Sequence, residues 1–269
     1  MAVRSPLINV MVAAAYKAAR GLVRDFGEVE QLQVSRKGTA DFVSTADLKA
    51  EKVLKQELGK ARPNFDFLME ESGASAAPAG KDQPTEGRWI VDPLDGTTNF
   101  LHGIPHFAIS IGVEKDGEII AGVVYEPVHD ELFWAEKGVG AFLNDRRLRV
   151  SGRTHLVDSL IATGLPFAGR AGHDVALKQL EAVMKVTSGI RRFGAAALDL
   201  AYVAAGRYDG YWENGLNAWD IAAGLLIVKE AGGMVGTIDG KGDPLTTGDV
   251  LVSNRDLFGD LGKILRSAA

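Results

Sequence analysis

From about residue 159 onward the apolar residues change their period repeatedly. Strand-like runs near 159–163, 189–193, 209–213, 234–237 and 249–253 alternate with helical patterns over 173–186, 196–205, 218–231 and 256–265. A pattern with a helical period cannot show one apolar face as a strand, nor the reverse. Alternation of this kind buries helices against sheets in layers and predicts an α/β architecture. The first half adds helices over 5–27 and 45–61. In the first, Leu7, Ile8, Met11, Ala14, Ala15, Ala18, Leu22 and Phe26 recur at helical spacing behind Pro6. The second has Thr45 as its N-cap, places Leu48, Val53, Leu54 and Leu58 inward, and stops before Pro63. A loop is expected around Lys37 and Gly38 and a surface loop over 72–87. Short strands are expected at Phe65–Leu68 and Trp89–Asp92. An antiparallel meander is expected over 106–114, 118–125 and 131–136, with turn signals at Asp116-Gly117 and Pro127.

No internal repeat, long linker or compositional shift near residue 150 divides the chain. Residues 1–269 are therefore expected to form a single two-lobed domain, with an N-terminal lobe over about 1–150 and a C-terminal lobe over about 151–269. Hydrophobic residues at 46% supply a core for that size. A formal net charge of -5 argues against a non-specific nucleic-acid binder, whose affinity comes mostly from neutralising phosphates. The absence of cysteine excludes disulfides, thiolate zinc sites and thiol nucleophiles. Tyr16, Lys17 and Arg20 interrupt the apolar stretch from Leu7 to Val23, so it does not read as a signal peptide, and no run reaches the ~18 apolar residues of a membrane span. The expected location is cytoplasmic.

The chemistry concentrates in Trp89-Ile-Val-Asp92-Pro-Leu-Asp95-Gly-Thr-Thr98-Asn-Phe100, where a buried strand runs into a turn with two carboxylates three residues apart. Pro93 fixes φ at the corner, so Asp92 and Asp95 can aim at one point and the Leu94 carbonyl is left available as a ligand. Gly96, Thr97 and Thr98 open a short helix whose first N–H groups are unpaired and suit a phosphate. Asp-Pro and Asp-Gly are by themselves ordinary turn formers. Their company carries more weight: Glu70 and Glu71 end a strand, Asp220 opens the 218–231 helix, and Asp41 and Asp47 flank the start of the 45–61 helix. Ligands in open α/β sheets bind beyond the carboxyl ends of strands. Four converging carboxylates without a thiolate point to magnesium or manganese.

Asp41-Phe-Val-Ser-Thr-Ala-Asp47, Glu70-Glu71-Ser72, Trp89 to Phe100 and Trp219-Asp-Ile-Ala-Ala-Gly224 resemble, in order and spacing, the four signature blocks of the inositol monophosphatase family. The match extends over roughly residues 5 to 265, and the Trp-Asp block follows the Asp-Pro-Leu-Asp-Gly-Thr block by about 125 residues. The resemblance implies a five-layer αβαβα sandwich of the inositol monophosphatase/fructose-1,6-bisphosphatase type, magnesium dependence, lithium inhibition and a homodimer. It implies hydrolysis of myo-inositol monophosphate by metal-activated water, with two to three ions. Glu70, Asp92 and the Leu94 carbonyl would hold one ion. Asp92, Asp95 and Asp220 would hold a second, with Asp92 bridging, and Glu70 would hold a third through water. Two of the ions would lie roughly 3.5–4 Å apart, as in an in-line displacement. Thr97, polarised by Asp47, would orient and deprotonate the water, and the Gly96 and Thr97 N–H groups would hold phosphate oxygens. Gly194, Ala195 and Ala196 match the segment that lines the polyol pocket, and Glu213 the position that accepts from its hydroxyls. Many relatives carry Thr or Ser where this chain has Ala195, which leaves out one hydroxyl contact worth about 1 kcal/mol.

Lys37 and Asp41 stand as possible further site residues, and Glu71 as a supporting one. The five histidines lack the paired spacing of metal motifs and read as structural or surface residues. The substrate expected is a small phosphorylated polyol. The same chemistry on fructose-1,6-bisphosphate, adenosine 3′,5′-bisphosphate, histidinol phosphate or NADP remains an alternative. A nucleic-acid or transcription partner, in a role beside or instead of catalysis, stays open.

Overall fold

The computed structural model describes residues 3–28, 34–38, 41–80 and 85–268, with the side chains of 34–38 and 41–43 outside the description. Helix α1 (Pro6–Phe26) starts on Ser5, whose Oγ accepts from the Ile8 N–H at 3.2 Å. Strands β1 (Val34–Gly38) and β2 (Asp41–Ser44) pair antiparallel where the sequence suggests only a loop. They form a separate ladder and add nothing to the larger sheets. Helix α2 (Thr45–Ala61) is capped by Ser44 and not by Thr45. Ser44 is extended (φ -104°) and its side chain accepts from the Ala46 and Asp47 N–H groups, while Asp47 accepts from the Ser44 N–H. The inward face of α2 is Ala46, Ala50, Leu54 and Leu58 at four-residue steps. Leu48, expected inside, falls on the opposite face and is 52% exposed.

Next come β3 (Phe65–Met69), β4 (Gly73–Ser75), β5 (Gly87–Asp95), helix α3 (Thr97–Leu101), β6 (Ala108–Lys115), β7 (Glu118–Glu126), β8 (Glu131–Glu136), β9 (Gly140–Leu143) and β10 (Arg146–Arg147). The eight strands make one sheet in the order β10-β9-β8-β7-β6-β5-β3-β4, antiparallel except for β3 against β5. β4 lies within the segment expected to be a surface loop: Gly-Ala-Ser carries no strand signal of its own and is extended by pairing with β3.

The remaining elements are β11 (Leu160–Thr163), α4 (His173–Met184), β12 (Gly189–Arg191), α5 (Ala196–Ala204), β13 (Gly210–Glu213), α6 (Ala218–Glu230), β14 (Met234–Gly236), α7 (Pro244–Thr247), β15 (Val250–Ser253) and α8 (Arg255–Ser267). Their strands form a second sheet, β12-β11-β13-β15-β14. Helices α1 and α2 cover one face of the large sheet, α5 and α6 fill the space between the sheets, and α4 and α8 cover the outer face of the second. This is the expected αβαβα layering. Helix α6 is apolar and buried without interruption from Ile221 to Val228, as a central-layer helix must be. It lies close to the large sheet because Gly112 and Gly122 pair across β6 and β7 directly beneath Ala222 and Ala223.

Candidate active site

Four residues from Asp92 to Asp95 on β5 face only three, Ser110 to Ala108, on β6. This is a bulge, and Pro93, which has no N–H to give the ladder, sits inside it. The Leu94 N–H turns back to Asp92 Oδ1 at 2.8 Å. Both carboxylates are thereby turned to the carboxyl end of the strand. The Leu94 carbonyl oxygen, expected to be available as a ligand, lies 3.0 Å from the Thr97 hydroxyl oxygen, whose one proton has Asp47 as its other acceptor. Gly96 follows at φ +92°, and a Cβ there would lie 3.0 Å from the His106 carbonyl oxygen. Helix α3 has only five residues, so its dipole is small and a phosphate would be held by individual N–H groups.

The other elements converge on this bulge. Glu70 extends the β3–β5 ladder by donating its N–H to the Val91 carbonyl at 3.1 Å. Buried Glu51 on α2 holds the turn that follows, accepting from the Glu71 and Ser72 N–H groups. Asp220 closes a capping box on α6, taking the Asn217 N–H at 2.7 Å. Asp95 Oδ2 accepts the Ala197 N–H at 2.7 Å, which docks the first turn of α5 onto the same spot. Asp47 Oδ1 accepts from the Thr97 hydroxyl at 3.0 Å, and its Oδ2 is held by Ser44.

Burial pushes the Asp92 carboxyl well above its usual range, and the neighbouring charges of Glu70, Asp95 and Asp220 push it further. Asp95 is raised by burial and by Asp220. Asp220 is raised by burial to about 7, with the Asn217 N–H opposing and Glu70 adding. Asp47 is raised by burial against its hydrogen bonds from Ser44 and Thr97. Glu70, Asp92, Asp95 and Asp220 thus share one electrostatic neighbourhood that Asp47 adjoins. Among the described residues no three acidic or histidine side chains are already closed around a point. The donor set is nonetheless oxygen throughout, four carboxylates and a carbonyl, and a hard divalent cation would relieve its like-charge crowding.

A pH dependence follows with a definite sign. The folded protein binds these protons more tightly than the unfolded chain does, so without metal its stability should fall as pH rises from about 4 to about 7, the span over which Asp220 shifts. Thermal melting in chelator at pH 5 and pH 8 is expected to show the lower transition at pH 8, with excess divalent metal restoring it. A metal-free melting temperature that rises across this range would contradict the clustering.

Glu213 ends β13. Burial raises its carboxyl, against the hydrogen bond that the Tyr211 hydroxyl donates at 2.5 Å. It borders a cavity of about 270 Å³ that Phe167, Arg170 and Asn214 also line. Gly194 has φ +78°, whereas Ala195 and Ala196 are buried at the start of α5, so that segment offers backbone more than side chains. Lys37 and Asp41 lie on β1 and β2, and their side chains are outside the described residues. His106 is half-buried against Phe193 and Tyr202, and desolvation there holds its ring down at about 4, in keeping with a structural reading. A larger hollow of about 500 Å³ lies beside Leu156, Ala182 and Ile264, away from this chemistry; ionisable side chains, and not size, mark the site.

Two residues were missed from the sequence. Asp199 on α5 is 1% exposed, neither carboxylate oxygen has a hydrogen-bond partner, and burial with Glu213 and Asp95 nearby raises its pKa strongly. An aspartate inside the apolar run Ala-Ala-Leu-Asp-Leu-Ala was the available signal. The other is Asn99 in α3.

A sequence model of the inositol monophosphatase family matches residues 3–268. A Mesorhizobium japonicum protein named inositol-1-monophosphatase is 61% identical over 251 residues, 93% of this chain and 92% of its own length. A Pseudomonas aeruginosa protein named Nus factor SuhB is 43% identical over 255 residues, 94% of this chain and 93% of its own. The crystal structure of extragenic suppressor protein suhB from Bartonella henselae superposes with a TM-score of 0.93 at 56% identity, covering 98% of this chain and 100% of that one.

Proposed function

The chain belongs to the inositol monophosphatase family, whose members are metal-dependent phosphatases, and from that premise we propose that it hydrolyses inositol monophosphate to inositol and inorganic phosphate. The observation that carries this reading is the gathering of Glu70, Asp92, Asp95 and Asp220 beside the Thr97–Asp47 hydrogen bond. Glu70, Asp92, Asp95, Asp220 and the Leu94 carbonyl would hold two to three magnesium ions, with Asp92 shared, and manganese suits the same oxygens. When bound, such ions supply an acidified water near neutral pH and offset charge on the phosphoryl group.

The remaining roles fall to the chain itself. The Thr97 hydroxyl donates to Asp47, so its oxygen lone pair would accept a proton of the attacking water and hold it in line. The raised pKa of Asp47 makes it a stronger proton acceptor than an exposed aspartate. The Gly96 and Thr97 N–H groups would donate to phosphate oxygens. Glu213 has one oxygen engaged by Tyr211, and the other would accept from a polyol hydroxyl. Ala196 and its neighbours Gly194 and Ala195 would border the ring.

This reading includes a single two-lobed unit, supported by the α5–α6 layer lying against both sheets. It also includes a cytoplasmic homodimer, as the family resemblance implies. Among the described residues no helix is long and apolar enough to cross a membrane. The relative named Nus factor supports a second role, a transcription partner alongside catalysis. With a net charge of -5, such a partner would more naturally be protein than nucleic acid.

The test is magnesium-dependent phosphate release from inositol-1-phosphate, fructose-1,6-bisphosphate, adenosine 3′,5′-bisphosphate, histidinol phosphate and NADP. The highest kcat/KM is expected for inositol-1-phosphate, with loss of activity in roughly tens of millimolar lithium as a competing cation reaches the metal site. Preference for another member would overturn the substrate and keep the chemistry. No release from any of them would put the partner-binding role first.

A further inference from the structure

Asn99 has no part in the reading above, yet its side chain is buried and fully committed on its donor side. Nδ2 donates to the His106 carbonyl at 2.8 Å and to the Phe193 carbonyl at 2.7 Å. Both partners can only accept, so the amide must present its nitrogen here and both of its N–H donors are used. The first bond closes the turn from α3 into β6. The second spans 94 residues in sequence and reaches the segment that enters α5, immediately before Gly194, Ala195 and Ala196. Gly194 passes so near that a Cβ there would lie 4.0 Å from Nδ2.

Two other contacts tie the same segments. The His106 and Phe193 rings lie 5.0 Å apart, and the Ala197 N–H reaches Asp95. The Asp95 tie uses a carboxylate that the proposed metal also claims, whereas the Asn99 tie is neutral and independent of it.

We infer that Asn99 is a positioning residue, whose amide clamps residues 193–196 to α3 and so sets the spacing between the phosphate side of the site and its polyol side. The inference rests on the assignment of Gly96 and Thr97 to phosphate and of 194–196 to the organic half. Asn99 then governs how the site fits the substrate's ring, and leaves phosphate hydrolysis itself untouched.

The experiment compares inositol-1-phosphate with phenyl phosphate, an ester that has no ring hydroxyls, in Asn99→Leu and the wild type. Leucine keeps the volume and removes both donors. KM for inositol-1-phosphate is expected to rise about tenfold with kcat held within about threefold, the pattern of lost uniform binding. kcat/KM for phenyl phosphate and the half-saturating magnesium concentration should each stay within about threefold. Equal loss on both esters, or a shifted magnesium requirement, would place Asn99 in the phosphate and metal machinery or in general stability and overturn the inference. Unchanged kinetics would overturn it too. Should Asn99→Leu fail to fold, Asn99→Ser, too short to reach either carbonyl, carries the same comparison. If the wild type shows no preference for inositol-1-phosphate, the substrate reading fails by itself. The ratio between the preferred ester of the panel and phenyl phosphate then decides the role of Asn99.

Discussion

Asp92→Asn is expected to reduce turnover of inositol-1-phosphate by roughly 10³-fold or more while leaving the folded protein at least as stable. Losing one electrostatic contact to a transition state costs about 10²–10³ in rate, and Asp92 is the carboxylate shared between the proposed ions. The fold has little reason to object. Asparagine keeps an oxygen for the Leu94 N–H, and the side chain is nearly isosteric within its 2% exposed site. The ionised carboxylate is itself unfavourable without metal, because burial and then Glu70, Asp95 and Asp220 all disfavour its charge. In chelator the variant should therefore melt at or above the wild-type temperature, and added magnesium should raise its melting point less than it raises the wild type's. Phosphate release together with melting, each with and without magnesium, checks both halves. Retention of most activity would sink the assignment of Asp92 to the metal.

Gly122→Val is expected to be among the most destabilising single substitutions in the second layer. A Cβ at Gly122 would meet the Ala223 carbonyl oxygen at 2.8 Å and its Cα at 3.0 Å, both of them backbone. No rotamer change can relieve a clash with a helix backbone, so α6 must lift from β7 or the strand must bend. Overpacking of this kind costs about 1–3 kcal/mol, or roughly 2–12 °C in melting temperature at this chain length. Because α6 also carries Asp220, lifting it draws one carboxylate out of the cluster, and activity should fall even at temperatures where the variant is folded. Melting curves and magnesium titrations of turnover measure the two effects separately. A variant that melts within about 1 °C of wild type would show that the close approach is not a constraint.

Much of the site was visible as residue type and spacing. Asp92-Pro-Leu-Asp95-Gly-Thr97 is a local feature: a proline that cannot join the ladder forces a bulge, and the bulge turns two carboxylates to one side whatever lies around them. The long helices and the meander were visible for a similar reason, since apolar periodicity reports the face that will be buried. Where local signals misled, a neighbour one residue away or a distant strand had the deciding voice. Ser44 is the cap and not Thr45 because it has both the extended backbone and the reciprocal bond with Asp47, and Leu48 lies off the Ala46-Ala50-Leu54-Leu58 stripe and points outward. β4 was invisible because its three small residues are extended only by β3.

The sequence by itself determined the chemistry on offer: an all-oxygen set of carboxylates, a threonine beside them, no thiol, and the layered order of helices and strands. These depend on residue identity and on short-range periodicity, which survive without knowledge of the fold. Only the tertiary structure decided which groups act on one another. Asp47 reaches Thr97 across 50 residues, Asp95 holds α5 across 102, and Asn99 holds Phe193 across 94. Burial, which raises the pKa values of Asp92, Asp95 and Asp220, exists only once the two sheets enclose α5 and α6. Hydrogen-bond partners at such separations, and the low-dielectric surroundings that give like charges their force, are properties of packing that no local stretch of residues contains.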